Sequence, residues 1–256
     1  MHTRGNRSSP IRVVDFLGPA GVGKSTQIRL LEAKLNGSGY RASSTFIKTG
    51  HLFSFLLLRL LARGSAGGDR STPSIRVLME SRPELFRRLF GTWLAIDMMS
   101  VLTKYFLAVW LPVKADFRVL VEEGIPATIA DYLYISQKLG LPADASHGAI
   151  GLLCAVHKRG AMTAIVYLDA DQGTTRSRRI GRGGMYETDA YVREQSRLLP
   201  KVANALSGGA LLYLETTSRS VEEISSLIEQ WVLDRLRGAP APGHGAEMSI
   251  TLEPDS

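Results

Sequence analysis

With 256 residues and a hydrophobic fraction of 45%, the chain is long and apolar enough for one sizeable globular domain. Its single cysteine, Cys154, excludes an intramolecular disulfide, and the first ten residues lack the apolar run of a secretory signal, so we expect a cytoplasmic protein. The formal net charge of +7 suits polyanionic ligands, but no sequence signature of DNA or RNA binding accompanies it.

Strand-like runs alternate with helical stretches along the chain. This alternation is typical of a three-layer α/β fold, in which helices cover both faces of a five-stranded parallel sheet. We expect one domain over residues 11–237, with disordered tails at 1–10 and 238–256 and a flexible loop at 64–73. The predicted strands are Ile11 to Leu17, Arg41 to Ile47, Phe117 to Glu122, Ala164 to Asp169 and Ala210 to Glu215.

Three helices are predicted with definite boundaries. The first begins at about Lys24 and ends at the glycine-containing stretch 37–39, as helices often do. A long helical region runs from about Pro83 to Val113. The last helix begins near Ser220, which forms a capping box with Glu223, and runs to about residue 236.

Two apolar stretches are candidates for membrane-spanning helices. Leu52 to Leu61 makes only about 15 Å of helix, half of the ~30 Å hydrocarbon core of a bilayer. Trp93 to Val113 is long enough, but Asp97 and Lys104 lie in its middle, where each charge costs about 2.5–3.5 kcal/mol on insertion scales. We therefore predict a core helix and no membrane span. Whether Phe90 to Leu111 instead supplies a homodimer surface stays open.

The stretch from Gly18 to Thr26 matches the P-loop (Walker A) pattern at every required position, between an apolar strand and an amphipathic helix. Glycines let the backbone turn several amide groups toward a phosphate, and the helix N-terminus adds its dipole. We expect Lys24 to reach the β- and γ-phosphates of ATP and the Ser25 hydroxyl to ligate Mg²⁺. The residues predicted to bind the triphosphate are Gly18, Pro19, Ala20, Gly21, Val22, Gly23, Lys24, Ser25 and Thr26.

Two other classes of P-loop protein are disfavoured. A GTPase needs an Asn-Lys-x-Asp motif to read its base, and the sequence contains none. The run Leu206-Ser-Gly-Gly209 is similar to the signature of transporter ATPases, but a strand follows it at once, without the intervening helix. We interpret it as a turn before the fifth strand. A kinase of small molecules fits the size and the order of elements better.

The fourth strand and its continuation resemble the thymidylate kinase family. Val166 to Asp171 reads Val-Tyr-Leu-Asp-Ala-Asp and precedes Arg178 and Arg182, as the family's Leu-Asp-x-Asp strand precedes an arginine-bearing lid. Tyr213 to Ile224 is similar to the family's last strand, adenine-side loop and last helix. The resemblance implies a P-loop kinase fold that uses ATP and Mg²⁺. It also implies that Arg178 and Arg182 close over the phosphates, where guanidinium groups stabilise the charge of transfer.

The sequence departs from that family's pattern at three places. Glu122 and Glu123 stand where the family carries Asp-Arg, and Asp97 is followed by Met98 where the family carries a second Asp-Arg. Residues 48–51 replace a glycine-rich segment. In the resembled family, arginines at two of these places help to hold the monophosphate of the acceptor.

These departures bear on the acceptor. Carboxylates oppose a dianionic phosphate unless a nearby cation compensates, whereas a neutral hydroxyl-bearing acceptor suits them. Glu122 could orient or deprotonate such a hydroxyl, or help to hold Mg²⁺ through water. For Glu123, local capping or pairing is the stronger expectation. The candidate compensating cations are Lys48, Arg82, Arg87 and Arg88.

The sequence therefore predicts an ATP-dependent phosphotransferase that moves the γ-phosphoryl group to a nucleotide or nucleoside-like acceptor. A kinase of another hydroxyl-bearing molecule, or a regulatory P-loop ATPase, stays open. Cys154 and His157 have a metal-like spacing without a second pair, so we interpret them as core or surface residues. The predicted catalytic residues are Lys24, Glu122, Arg178 and Arg182, and the predicted metal ligands are Ser25 and Glu122.

Overall fold

Five parallel strands form the sheet at the centre of the molecule. The computed structural model describes residues 11–50, 52–62, 74–142, 144–159, 163–181 and 188–237. The strands are β1 (Val13–Leu17), β2 (Ala42–Ile47), β3 (Arg118–Glu123), β4 (Thr163–Asp169) and β5 (Leu211–Glu215). They lie in the order β2-β3-β1-β4-β5, so β1 is the central strand, between β3 and β4.

Helices cover both faces of the sheet, as the sequence predicts. Helices α1 and α10 lie on one face, and α4, α6, α7 and α9 pack on the other. The helices are α1 (Lys24–Gly37), α2 (Phe53–Ala62), α3 (Ser74–Ser81), α4 (Pro83–Tyr105), α5 (Leu111–Lys114), α6 (Gly124–Lys138), α7 (His147–Arg159), α8 (Gln172–Gly181), α9 (Asp189–Leu206) and α10 (Val221–Leu236).

The central strand explains the two cores. Successive side chains of a strand point to opposite faces, so Val14 and Phe16 of β1 enter the core under α1 and α10. Val13 and Leu17 enter the other core, under α6 and α9. Because both faces are covered, the inner strands read as nearly continuous apolar runs, which is the expected pattern for a buried parallel sheet.

One polar pair lies inside the second of these cores. Asp15 of β1 and His157 of α7 are 4% and 5% exposed, and the Asp15 Oδ2 to His157 Nδ1 distance is 3.8 Å. Burial raises the pKa of Asp15 to about 8 and lowers the pKa of His157. Cys154 is half-buried, and no cluster of three or more metal-ligating side chains occurs among the described residues. His157 is thus a core residue, and Cys154 lies at the edge of the core.

The long helical region is buried on one side only. After α4, a π-helical turn at Phe106–Trp110 and then α5 continue the helix. Trp93 is fully buried, whereas Met99 is 60% and Leu107 57% exposed. The prediction of a core helix is thus right for one face and wrong for the other. By length and composition, Pro83–Lys114 is the one described helix that could cross a membrane, and 28% of its most apolar stretch is buried.

Other predicted elements can be compared directly. The five predicted strands are present, with ends that agree to within two residues. The run from Leu206 to Gly209 is the end of α9 and a turn before β5, and the predicted capping box of Ser220 and Glu223 is formed. Helices α6 to α9 are not among the predicted elements. The predicted tails and the loop predicted at 64–73 lie outside the described residues.

Candidate active site

The predicted P-loop lies at the carboxyl end of β1, where that strand gives way to α1. Because β3 and β4 flank β1 in parallel, the ends of all three strands meet at this edge of the sheet. Ligands of open parallel sheets bind at such an edge. The residues that follow β3 and β4 are therefore the neighbours of the loop.

Two glycines of the loop occupy positions that accept no side chain. Gly18 has a φ of 137°, and a Cβ there would lie 2.0 Å from the Leu168 carbonyl oxygen. Gly21 has a φ of 93°, and its Cβ would lie 2.7 Å from the Thr175 carbonyl oxygen. The loop lies in close contact with β4 at one point and with α8 at another. Glycine permits this close approach because it has no side chain.

Lys24 is the first residue of α1, and it is 5% exposed. Its Nζ donates to the carbonyl oxygens of Gly18, at 2.7 Å, and Pro19, at 3.1 Å. The same Nζ lies 3.6 Å from Glu123 Oε1. A buried ammonium group is costly without partners, and these three oxygens compensate its charge.

Ser25 contacts the end of the neighbouring strand. Its hydroxyl donates to Glu122 Oε1 at 2.8 Å, and β3 aligns Glu122 beside Phe16 of β1. The two side chains place a hydroxyl and a carboxylate oxygen side by side, and Mg²⁺ prefers oxygen ligands. Mg²⁺ in phosphate-binding sites is held by few protein groups together with waters and phosphates, so this pair fits the ion.

Glu123 lies in the same site and pairs with two lysines. Its carboxylate lies 3.6 Å from Lys24 Nζ and 3.3 Å from Lys48 Nζ. Burial acts to raise the pKa of Glu123, but the charges of Lys48 and Lys24 outweigh it, and the net pKa is lowered. The expectation that Glu123 pairs locally is wrong, because its partners belong to α1 and to the segment after β2.

A cavity of about 10 Å³, room for about one water molecule, lies beneath the loop. The buried Asp131 and the half-buried Glu123 line it together with Lys48. Polar groups of α9 and apolar side chains complete the wall. The further lining residues are Leu17, Gly18, Pro19, Ala20, Ala127, Tyr191, Val192, Gln195 and Leu199.

Asp131 of α6 is the most densely bonded side chain of this cavity. Its carboxylate accepts from Thr49 Oγ1 and Tyr191 Oη, both at 2.7 Å, and from Gln195 Nε2 at 2.6 Å. Burial raises the pKa of Asp131 to about 6, an effect that Lys48 and these hydrogen bonds partly offset. The network joins α6, α9 and the segment after β2 around one carboxylate.

The predicted lid arginines are placed differently from one another. Arg178 of α8 donates to the hydroxyl and carbonyl oxygens of Thr216, at 3.2 and 3.1 Å, beyond the end of β5. Thr216 in turn donates to the Val22 carbonyl oxygen of the loop at 3.3 Å. Arg179 packs its Cγ next to Gly21. Arg182 lies outside the described residues.

One of the four candidate cations contacts this site. Among Lys48, Arg82, Arg87 and Arg88, only Lys48 is a described lining residue of the cavity. Arg87 donates to the Leu139 carbonyl oxygen just past the end of α6, about 20 Å along that helix from its start at the site. Lys48 is therefore the member of this set that lies beside Glu123, at 3.3 Å.

Asp97 is buried and has three hydrogen-bond partners, as the cost of an unpartnered buried charge requires. It accepts from the Gly50 backbone at 2.8 Å, from the Ser54 hydroxyl and from Tyr132 Oη at 2.9 Å. His51, adjacent to Gly50, lies outside the described residues. The long helix is therefore tied to α2, α6 and the segment after β2.

Fold and loop together define the class of protein. The sheet order, the parallel strands and the glycine loop between β1 and α1 are those of a P-loop kinase fold. No family model matches the chain, and no curated protein matches it. The solved structure of thymidylate kinase from Candida albicans is similar, with a TM-score of 0.51 and 12% identity, over 91% of this chain and 95% of that one. At this identity the likeness shows the fold.

Several site residues escaped the sequence analysis. Asp131 and Gln195 belong to helices that were not predicted, and Arg179 is not among the predicted site residues. Asp131 did carry a signal, because it is a lone acid within the apolar run 125–135. A buried acid in such a run is expected to have a partner or a function.

Proposed function

We propose that the chain is an ATP-dependent phosphotransferase, which moves the γ-phosphoryl group of ATP to a small acceptor of the nucleotide or nucleoside class. The observation that carries the proposal is the meeting of Lys24 and Ser25 with the consecutive carboxylates Glu122 and Glu123 at the end of β3. A glycine turn alone binds a phosphate. A loop whose lysine and hydroxyl both contact acidic groups is also equipped for a cation and an acceptor.

The described residues divide the work of binding. Backbone amides of the loop and the N-terminus of α1 hold the phosphates, and Lys24 leaves the carbonyl oxygens of Gly18 and Pro19 for phosphate oxygens. Ser25 and Glu122 would hold Mg²⁺, directly or through water. When bound, the ion would neutralise the charge that develops on the phosphate oxygens.

Two arginines stabilise the transferring group in this proposal. In this structure Arg178 contacts Thr216, the residue that follows β5, on one side of the loop. Arg182 follows four positions later in the sequence. A planar guanidinium can meet two oxygens of the transferring phosphoryl group at once.

The test combines binding and turnover. Mg-ATP binding is measured by titration calorimetry, and ADP formation by a coupled assay with thymidine monophosphate, other nucleoside monophosphates, nucleosides and sugars as acceptors. Lys24→Ala should abolish turnover. The control Lys34→Ala, an exposed residue of the same helix paired with Glu229, should leave it unchanged. Equal turnover in Lys24→Ala would refute the proposal.

One outcome favours a second function. If Mg-ATP binds and is hydrolysed slowly whatever small molecule is added, the chain is a nucleotide-binding regulatory ATPase.

A further inference from the structure

An apolar face extends over two neighbouring helices of the molecule. Most of the exposed large apolar side chains of the described residues belong to α2 and to the helical run Pro83–Lys114. Phe53 and Leu56 of α2 line an open groove together with Ile96 and Met99 of α4. Exposed apolar patches of this extent mark a surface that binds a partner. The exposed members of this apolar face include Phe53, Leu56, Leu60, Met99, Leu107 and Trp110.

The apolar face continues along the helical run beyond the groove. Met99, Phe106 and Trp110 follow one another at intervals of seven and four positions, so they lie along one side of the helix. The strip from Ile96 to Trp110 is about 20 Å long. Phe106 and Trp110 stack there, with ring centroids 4.8 Å apart. The opposite side of the same run carries the fully buried Trp93, so one side alone is available to a partner.

Basic residues border the apolar face, and acids are scarce on it. Helix α2 contains Arg59 and no acid. Between residues 85 and 115 the one acid is Asp97, which is buried and hydrogen-bonded. Lys114 Nζ lies over the Trp110 ring, 5.4 Å from its centroid. The bases of this stretch are Arg87, Arg88, Lys104 and Lys114.

The acids that flank this stretch are paired with arginines. Glu84 lies 3.6 Å from Arg87, and Asp116 lies 3.1 Å from Arg118 and 3.2 Å from Arg12. Helix α3, which packs against α2 and α4, adds one acid and one base, Glu80 and Arg76. The surroundings of the apolar face therefore carry a net positive charge.

This distribution of charge favours an anionic surface over a second copy of the chain. A two-fold dimer places the same patch against itself, so the bases of both copies would meet at its border. The apolar face has no exposed acid among its described residues to pair with them. Anionic lipid headgroups attract such bases, and tryptophan and lysine side chains are typical of the level of the headgroups.

We propose that the apolar face binds the surface of a membrane that contains anionic lipids. Its apolar side chains enter the boundary between headgroups and acyl chains, and Arg59 and Lys114 contact the lipid phosphates. The two helices lie in the plane of this boundary and do not cross the bilayer, because Trp93 and Asp97 on the opposite side are packed inside the protein.

Membrane binding leaves the P-loop accessible. The helical run ends at Lys114, shortly before β3 begins, so its aromatic end lies at the amino-terminal edge of the sheet. The P-loop follows β1 at the carboxyl-terminal edge. The proposal therefore does not rest on the phosphotransferase function, and Lys24→Ala should bind membranes as the wild type does.

Vesicle sedimentation tests the proposal with the full chain. Vesicles of phosphatidylcholine mixed with phosphatidylserine should bind the protein about tenfold or more tightly than vesicles of phosphatidylcholine alone, because the bases attract anionic lipid. Added salt should weaken this binding. No binding to the mixed vesicles, or equal binding to both kinds, overturns the inference.

Two double variants separate the apolar from the basic part of the surface. Leu107→Ser with Trp110→Ser should lower the affinity for mixed vesicles by about tenfold or more, since two apolar side chains no longer enter the bilayer. Arg59→Gln with Lys114→Gln should weaken binding to mixed vesicles alone. The matched control is Leu227→Ser, a 40% exposed residue of α10, which should bind as the wild type does. Wild-type affinity in both double variants contradicts the proposal.

Tryptophan fluorescence tests the placement of the face. Vesicles with brominated acyl chains should quench Trp110, which lies on the apolar face. Trp110→Phe should lose most of this quenching, whereas Trp231→Phe, at a half-buried position of α10, should keep it. Quenching that survives Trp110→Phe would contradict the placement.

Sedimentation equilibrium identifies the competing occupant. The wild type without vesicles should be a monomer if the apolar face is reserved for lipid. A dimer that the Leu107→Ser and Trp110→Ser pair dissociates, together with no vesicle binding, would assign the face to a second copy and overturn the inference.

Discussion

The hydroxyl of Ser25 donates a hydrogen bond of 2.8 Å to the carboxylate of Glu122, although 97 positions separate the two residues in the chain. The first residue belongs to α1 and the second to β3, and the neighbouring position of β1 and β3 in the sheet brings them together. Glycine loops are frequent, but a loop hydroxyl that meets a strand-end carboxylate is a more specific arrangement. The first prediction follows from this contact.

Glu122→Gln should lower turnover by about 10- to 100-fold, the usual effect of losing a group that supports a metal. ATP affinity should change little, because the loop amides and Lys24 hold the phosphates. Titration of Mg²⁺ at saturating ATP is the measurement, and a higher Mg²⁺ requirement is expected. An unchanged rate and Mg²⁺ requirement would remove Glu122 from the site.

Arg178→Ala and Arg182→Ala should each lower the catalytic rate, by about tenfold up to about 10³-fold, with a smaller effect on ATP affinity. The reason is that a guanidinium group stabilises charge that grows only during transfer. Arg197→Ala is the control, since that arginine is half-exposed and pairs with Glu194 on α9. Wild-type rates in both variants would show that neither arginine takes part in the transfer step.

Gly18→Ala should destabilise the protein by more than about 1 kcal/mol, because the added Cβ meets the Leu168 carbonyl oxygen and the backbone angle is strained. Gly37→Ala is the matched control in the following helix, where a Cβ meets open space. It should stabilise the helix by up to about 1 kcal/mol. Urea denaturation compares the two, and equal stabilities would mean that the loop relaxes freely.

Asp15→Asn should change how stability depends on pH. Folded Asp15 keeps its proton up to about pH 8, whereas the unfolded chain loses it near 3.8. Between these values the unfolded chain binds fewer protons, so the free energy of unfolding falls as pH rises, by at most about 1.4 kcal/mol per pH unit. The Asn variant lacks this loss, and its stability relative to wild type should grow with pH.

Urea denaturation between pH 6.5 and 8 is the measurement for Asp15. His157, whose pKa burial lowers, acts in the opposite direction in the lower part of this window, but it is present in both proteins, so the difference between wild type and Asp15→Asn reports Asp15. Asp234→Asn, an exposed residue of α10, is the control. A constant difference between wild type and Asp15→Asn across the window would contradict the prediction.

Most of the fold could be predicted from local signals in the sequence. The strands were predicted because buried parallel strands are short apolar runs between breakers, and the last helix because Ser220 and Glu223 cap it. The position of Glu122 beside the loop followed from strand order. These features depend on neighbouring residues or on general rules of parallel sheets.

The residues around the cavity could not be predicted in this way. Glu123, Lys48, Asp131 and Gln195 come from four separate segments, and only the packing of α6 and α9 brings them around one cavity. The apolar pattern of the long helix led to a partly wrong prediction of burial for a related reason. Its apolar residues cover more than one face, so hydrophobicity alone did not distinguish the buried Trp93 from the exposed Met99.

The contact of α8 with Gly21 couples that helix to the phosphate loop. The Thr175 carbonyl oxygen fills the place where a side chain at residue 21 would stand. Arg178, one turn further along α8, reaches the same loop through Thr216, which donates to the Val22 carbonyl oxygen. The position of Arg178 therefore depends on the conformation of the loop that it would serve.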